Sequence, residues 1–295
     1  MDIYEHQPYI DRVIADAGAS AYLSQNVHLA AVTYLRSHPE KIDWELFSAN
    51  ANPSAVEHLL RHPDRINHAK LSKNENPEAT AHLIQHINHI DINMYLFSEN
   101  ADTLVVEYLL QHPEKIKWIS FSQNKNPLAV KFLLEHRGKI NWDVFSANEN
   151  TSAVEYLLQH PEKINPDFFS RNTNPLAVEY LLKHPEKIYW RCFSVNTNQQ
   201  AVEYALGNLE RIDWDWFLSN KNPAAFKYIL KTLADTDLYR IADNPTLFVI
   251  NLQAMSAARV RQYEAEQGGI RTLKRVSQWL TSHLDSGNAL LDFTY

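Results

Sequence analysis

The stretch Asn174-Pro175-Leu176-Ala177-Val178-Glu179-Tyr180-Leu181-Leu182-Lys183-His184-Pro185-Glu186-Lys187-Ile188-Tyr189-Trp190-Arg191-Cys192-Phe193-Ser194-Val195-Asn196 decides the fold. Its first half places apolar residues at i, i+1, i+4 and i+5, a stripe that only helical periodicity brings onto one face. Asn174 before Pro175 is a helix start. The asparagine side chain accepts a bond from a free N–H of the first turn, and proline at the first helical position forfeits no hydrogen bond. His184-Pro185 is a helix stop, because proline cannot continue the ladder and disfavours helical geometry in the residue before it. After the Pro-Glu-Lys-Ile turn, a short second helix is expected over Trp190 to Phe193, partly of the tighter 3₁₀ kind.

The same unit recurs along the chain. Asparagine stands at Asn26, Asn50, Asn74, Asn100, Asn124, Asn148, Asn172, Asn196, Asn220 and Asn244, every step being 24 residues except one of 26 between Asn74 and Asn100. Serine precedes it by two from Ser24 to Ser194, and Leu218 breaks that series. A period of this length signals a repeat array, in which neither helix buries its stripe alone and stability comes from neighbouring copies. The expectation is an all-α, right-handed alpha-alpha solenoid of about nine 24-residue repeats with terminal helical caps. The N-terminal cap is expected at 1–23 as one short helix, the array at 24–246, and a C-terminal helical cap at 247–295. At about one repeat per 8–10 Å such an array would present a curved surface roughly 80–100 Å long.

In this register the chain resembles the short alpha-solenoid repeats grouped with the leucine-rich repeat variant, and the Asn-Pro-rich 24-residue repeats of large DNA viruses. The resemblance covers about three quarters of the chain and implies a fold in which an α-helix pairs with a shorter 3₁₀-like helix. It implies a host-directed or defence-related adaptor, viral or bacterial, for the function. The iron–sulfur cluster of one leucine-rich repeat variant protein needs cysteines, and this chain has Cys192 alone.

Bulk composition narrows the partners. The 295 residues are 45% apolar and 21% charged, the mix of a folded soluble chain, and the formal net charge is −7. That charge disfavours nucleic acid and an anionic membrane, both of which need a basic footprint, and favours a protein or peptide with a basic face. No run of 18 apolar residues occurs, the first residues lack the pattern of a secretory signal, and one cysteine fits a reducing compartment, so a cytoplasmic location is expected.

Catalysis finds no motif. There is no Gly-rich phosphate loop, Gly-x-Ser-x-Gly elbow or His-Glu-x-x-His, and no cofactor or metal is expected. The histidine row His38, His62, His86, His112, His136, His160 and His184 reads as helix C-terminal capping, since imidazole can bond the last carbonyls and favours the negative end of the dipole. The asparagine ladder reads as backbone pairing in adjoining turns. The aromatic rows, Trp44 to Trp214 and Tyr34 to Tyr228, read as packing between repeats.

Two features remain as candidate partner contacts. One is the acidic row Glu57, Glu107, Glu155, Glu179 and Glu203, interrupted by Lys131 and Lys227, whose members Glu107, Glu155, Glu179 and Glu203 would steer a basic partner. The other is Trp216, two residues outside the tryptophan register and so expected at the surface. The function expected is a non-enzymatic interaction scaffold; the rival is an enzyme or toxin accessory whose active part is the C-terminal block.

Overall fold

The computed structural model describes residues 7–232 and 239–248. The chain divides into two compact units, Tyr9–Leu247 and a second combining 1–8 with 248–295. Almost all of the second lies outside the described residues, as does nearly all of the C-terminal cap expected at 247–295, so the description concerns the first.

Among the described residues every regular element is helical, and no helix is long and apolar enough to cross a membrane. One repeat illustrates the pattern. The long helix is Pro175–Lys183, started by Asn174, whose Oδ1 accepts from the Leu176 N–H at 2.9 Å, and stopped at His184, whose backbone leaves helical geometry before Pro185. A 3₁₀ turn at Pro185–Lys187 leads to the short helix Trp190–Phe193. Ala177, Val178 and Leu181 of the long helix and Phe193 of the short one are fully buried, and their counterparts in the other repeats form one continuous core. Removing a phenylalanine or leucine side chain from water contributes about 1.5–3 kcal/mol, so a core repeated this regularly offsets the chain entropy one unit at a time.

Two polar devices join neighbouring units. The first is the serine. Ser146 Oγ donates to the Trp142 carbonyl at 2.9 Å and accepts from the Asn165 N–H of the next repeat at 2.9 Å, so one hydroxyl closes a short helix and anchors its successor. Ser146→Ala is therefore expected to cost about 1–2 kcal/mol, read as a lower denaturant midpoint at unchanged slope. Leu218 and Ala242, which occupy the same register, show that the fold survives the loss.

The second device is the asparagine ladder. Asn196 Nδ2 donates to the carbonyls of Ser170 at 3.1 Å and Asn172 at 2.9 Å, both in the preceding repeat, and its Oδ1 accepts from the Asn198 N–H at 3.0 Å. Both N–H groups and the oxygen of a buried amide are thus used. Asn198 then extends the pairing, donating to the Thr173 carbonyl at 3.1 Å.

The ladder has no free end. Asn26 Nδ2 donates to the carbonyls of Ala242 at 3.1 Å and Asn244 at 3.0 Å, the positions that Ser170 and Asn172 hold relative to Asn196. Around the same seam the Tyr9 hydroxyl donates to the Leu230 carbonyl at 2.8 Å, Tyr22 and Tyr239 lie 5.9 Å apart ring to ring, and helix Ala17–Tyr22 packs on Tyr239–Ala242. The unit Tyr9–Leu247 is a closed ring.

This corrects the expectation of an open, elongated surface. The N-terminal segment is not one capping helix but a pair, Gln7–Ala15 and Ala17–Tyr22, and it occupies the place of a repeat beside the last one. Asp16 supplies the turn that His-Pro supplies elsewhere, its carboxylate accepting from the Ala19 N–H at 2.7 Å. Ile10 and Val13 are buried, so the pair adds to the same core.

Candidate binding lumen at the ring centre

Ladder asparagines are fixed by their hydrogen bonds, and the residues on either side of each are not. Closure of the ring turns these flanking positions toward a single central cavity of about 610 Å³. The position before the asparagine contributes Gln25, Ala49, Lys73, Glu99, Gln123, Ala147, Arg171, Val195 and Asp243; the position after it contributes Ala51, Glu75, Lys125, Glu149, Thr173 and Lys221. Repeats from every part of the circle therefore face one space. The inner edge is tight enough for a side chain to reach past its neighbour: the Arg171 guanidinium donates to Gln123 Oε1 at 3.3 Å, two repeats away.

The lining charges balance. Lys73, Lys125, Arg171 and Lys221 face Glu75, Glu99, Glu149 and Asp243, with Lys221 and Asp243 paired at 2.8 Å. Such a surface has no net attraction for a phosphate backbone, which needs cations in excess. It offers ion-pairing and hydrogen-bonding partners of both signs at short range.

A second cavity, of about 490 Å³, opens beside the lumen at the seam and shares Gln25, Val195, Lys221 and Asp243 with it. Its own wall is Tyr22, Asp215, Trp216, Ser219, Tyr239 and Arg240. Tyr22, Trp216 and Arg240 occupy one repeat position, which varies along the array through Leu46, Lys70, Ser120, Phe168 and Cys192, and at the seam it carries two aromatic rings and a guanidinium. The Arg240 guanidinium donates to the Asp215 carbonyl at 2.8 Å, and the Arg191 guanidinium lies 5.0 Å over the Trp216 ring.

No family model matches this chain, and no curated protein or solved structure matches it either.

The residues singled out from sequence are placed as follows. Glu107, Glu155, Glu179 and Glu203 are exposed at one position of the long helices, with Lys131 at that position between the first two, and none lines the lumen. Two of them are engaged on their own helix: Glu179 meets Lys183 at 2.5 Å, a hydrogen bond that holds its carboxyl below the usual range, and Glu203 accepts from Gln199 Nε2 at 2.7 Å. Trp216 is half-buried and lines the seam cavity, while Trp214 is 38% exposed. The aromatic rows pack between repeats, Trp142 stacking on Tyr156 at 5.6 Å and Trp190 on Tyr204 at 6.0 Å. Several histidines of the row bond their own helix ends, as with His112 Nδ1 to the Tyr108 carbonyl at 2.9 Å. Cys192 is a partly buried thiol pushed up by that burial, with the Asp167 carboxylate adding to the effect.

Sequence reasoning missed the lumen. Its signal was present as variation: between constant serines and asparagines stand Gln25, Ala49, Lys73, Glu99 and Arg171, residues of every chemical kind at one repeat position.

Proposed function

We propose that this protein is a non-enzymatic interaction module that holds an extended segment of a partner protein at the ring centre. One observation carries the reading: the positions that the repeat leaves free are those that closure gathers around one cavity, so the architecture is spent on presenting variable side chains inward. An extended chain supplies backbone donors and acceptors along its length, and charged side chains of either sign can pair with the alternating lining. The lining holds neither histidine nor cysteine, and its only hydroxyl belongs to Thr173, which donates to Glu149. A binding role therefore suits it better than catalysis by a thiol, hydroxyl or imidazole.

The outer acidic row supports a second reading, a basic partner docked outside the ring, because Glu107, Glu155, Glu179 and Glu203 are all exposed. A partner recovered by affinity capture from the native host and then purified distinguishes the two. Under the lumen reading, Lys125→Glu with Arg171→Glu weakens its affinity at least tenfold, about 1.4 kcal/mol, while changing all four glutamates to glutamine leaves Kd within a factor of two. The reverse pattern would move the site to the outer row, and a partner indifferent to both sets of changes would end both readings.

A further inference from the structure

Two consecutive repeats carry histidine in the aromatic stack between units. At four other places an indole of the short helix stacks on a phenyl or phenol ring of the following long helix, as Trp118 does on Phe132 at 6.2 Å and Trp142 on Tyr156 at 5.6 Å, while Met94 and Pro166 replace the indole at two more. In the second and third repeats imidazoles take over. Trp44 stacks on His58 at 5.8 Å, and His68 stacks on His82 at 5.7 Å with the rings 9° from parallel. Each stack continues into a further histidine, His58 to His62 at 4.5 Å and His82 to His86 at 4.7 Å. Nε2 of His58 and Nε2 of His82 are buried and have no hydrogen-bond partner. A neutral ring tolerates such a site; a protonated one places an extra N–H and a positive charge where nothing accepts them.

The turn at the same place is also irregular. The other array repeats whose connection is described, from Leu29–Ser37 to Gln199–Leu206, pass from long to short helix through a 3₁₀ turn such as Pro113–Lys115 or Pro161–Lys163. Between Pro77–His86 and Met94–Glu99 no 3₁₀ turn forms, no proline stops the helix, and the connection carries the two residues that make this the single step of 26.

We infer that acidification opens the ring at its second and third repeats, with the imidazole stacks as the trigger and the longer turn as the hinge. The groups acting on the trigger come from every side of it. His58 is held below the ordinary value of 6.5 first by burial, then by His62 on its own helix, by Arg36 from the preceding long helix and by Arg61; Glu57 opposes them. His82 is held down by burial and then by His86 and His68, and His68 by burial and His86. The sign follows. The folded rings bind protons less readily than free imidazoles, so the opened state is the better proton acceptor. The stabilisation is complete above about pH 6.5 and is lost as the pH falls below it.

Hydrogen exchange of the full chain, corrected for the intrinsic effect of pH, tests this by region. Between pH 7.0 and 5.5, helices Pro53–Leu60 and Pro77–His86 are expected to lose at least tenfold in protection while Pro127–Glu135 and Pro175–Lys183 keep theirs. The double variant His58→Tyr, His82→Phe, whose new side chains are those that Tyr156 and Phe132 place at this position, should abolish the difference. Uniform loss around the ring, no loss, or an unchanged response in the variant would each overturn the inference. Should the variant not fold, titration of the wild-type imidazole proton resonances decides: midpoints for His58 and His82 at or above 6.5 refute it, and midpoints below support it.

Discussion

Replacing Asn148 by alanine is expected to destabilise the ring by about 4 kcal/mol, although the side chain is uncharged and remote from any cavity that needs it for chemistry. The amide does three jobs in a space only 1% exposed. It donates to the carbonyls of Ser122 at 3.1 Å and Asn124 at 2.9 Å, and it accepts from the N–H of Asn150 at 3.0 Å. Alanine removes all three bonds and leaves three backbone groups in need of partners. Each such group costs about 1–3 kcal/mol when water cannot reach it, and the lower part of that range applies because the vacated volume can admit a water. Denaturant unfolding of the purified variant measures the loss. A cost below about 1 kcal/mol, no more than Ser146→Ala, would show that the ladder is ornamental and that apolar stacking alone sets the spacing of the repeats.

The contrast between these two residues explains what could be read from the chain and what could not. Helix starts and stops are local: Asn126 bonds the Leu128 N–H two residues on, and His136 ends a helix by bonding the carbonyl of Phe132 four residues back. Such interactions depend on spacing alone, so the repeat, its long helix and its short helix were legible from the asparagine, proline and histidine registers. The asparagine bridges between repeats were legible as a ladder for the same reason, a fixed offset of one period, whereas the serine showed only as a constant position and its bond to the next repeat did not.

Closure is a different kind of property. It depends on the angle between one unit and the next summed around the array, and no single repeat encodes that sum. The one clue was at the ends. Asn26 and Asn244 both carry the ladder residue, whereas in an open array the first member would have no carbonyls to meet and the last would offer its own to water. The N-terminal pair of helices hid the answer further, because Gln7–Ala15 ends without His-Pro and buries Ile10 and Val13 on a different register from the Ala-Val-Leu stripe. The lumen was invisible until the closure was known, since its lining residues share a position in the repeat but no chemistry. The surroundings of Trp216 were hidden on the same account: Tyr22 and Tyr239 among them come from the two sides of the seam.

The seam makes its own prediction. Asn26→Asp changes one nitrogen to oxygen and preserves shape, yet it turns a donor toward two carbonyl oxygens, those of Ala242 and Asn244, into a third acceptor between them. Asn26 is fully buried, so the new carboxylate meets neither water nor a counter-charge, and a loss of about 3–5 kcal/mol is expected. In the closed ring Asn148 makes the same two donor bonds and one accepted bond as Asn26, and Asn148→Asp should therefore cost the same within the scatter of measurement. In an open array the two differ sharply: a break in the middle separates packed repeats, while a change at a frayed first rung costs almost nothing. Equal losses at both positions, together with a larger radius of gyration by small-angle scattering for the Asn26 variant, are the signature of a circle that has been cut. A harmless Asn26→Asp beside a damaging Asn148→Asp would mean that the first and last repeats never meet in solution, and the common cavity that depends on their meeting would go with them.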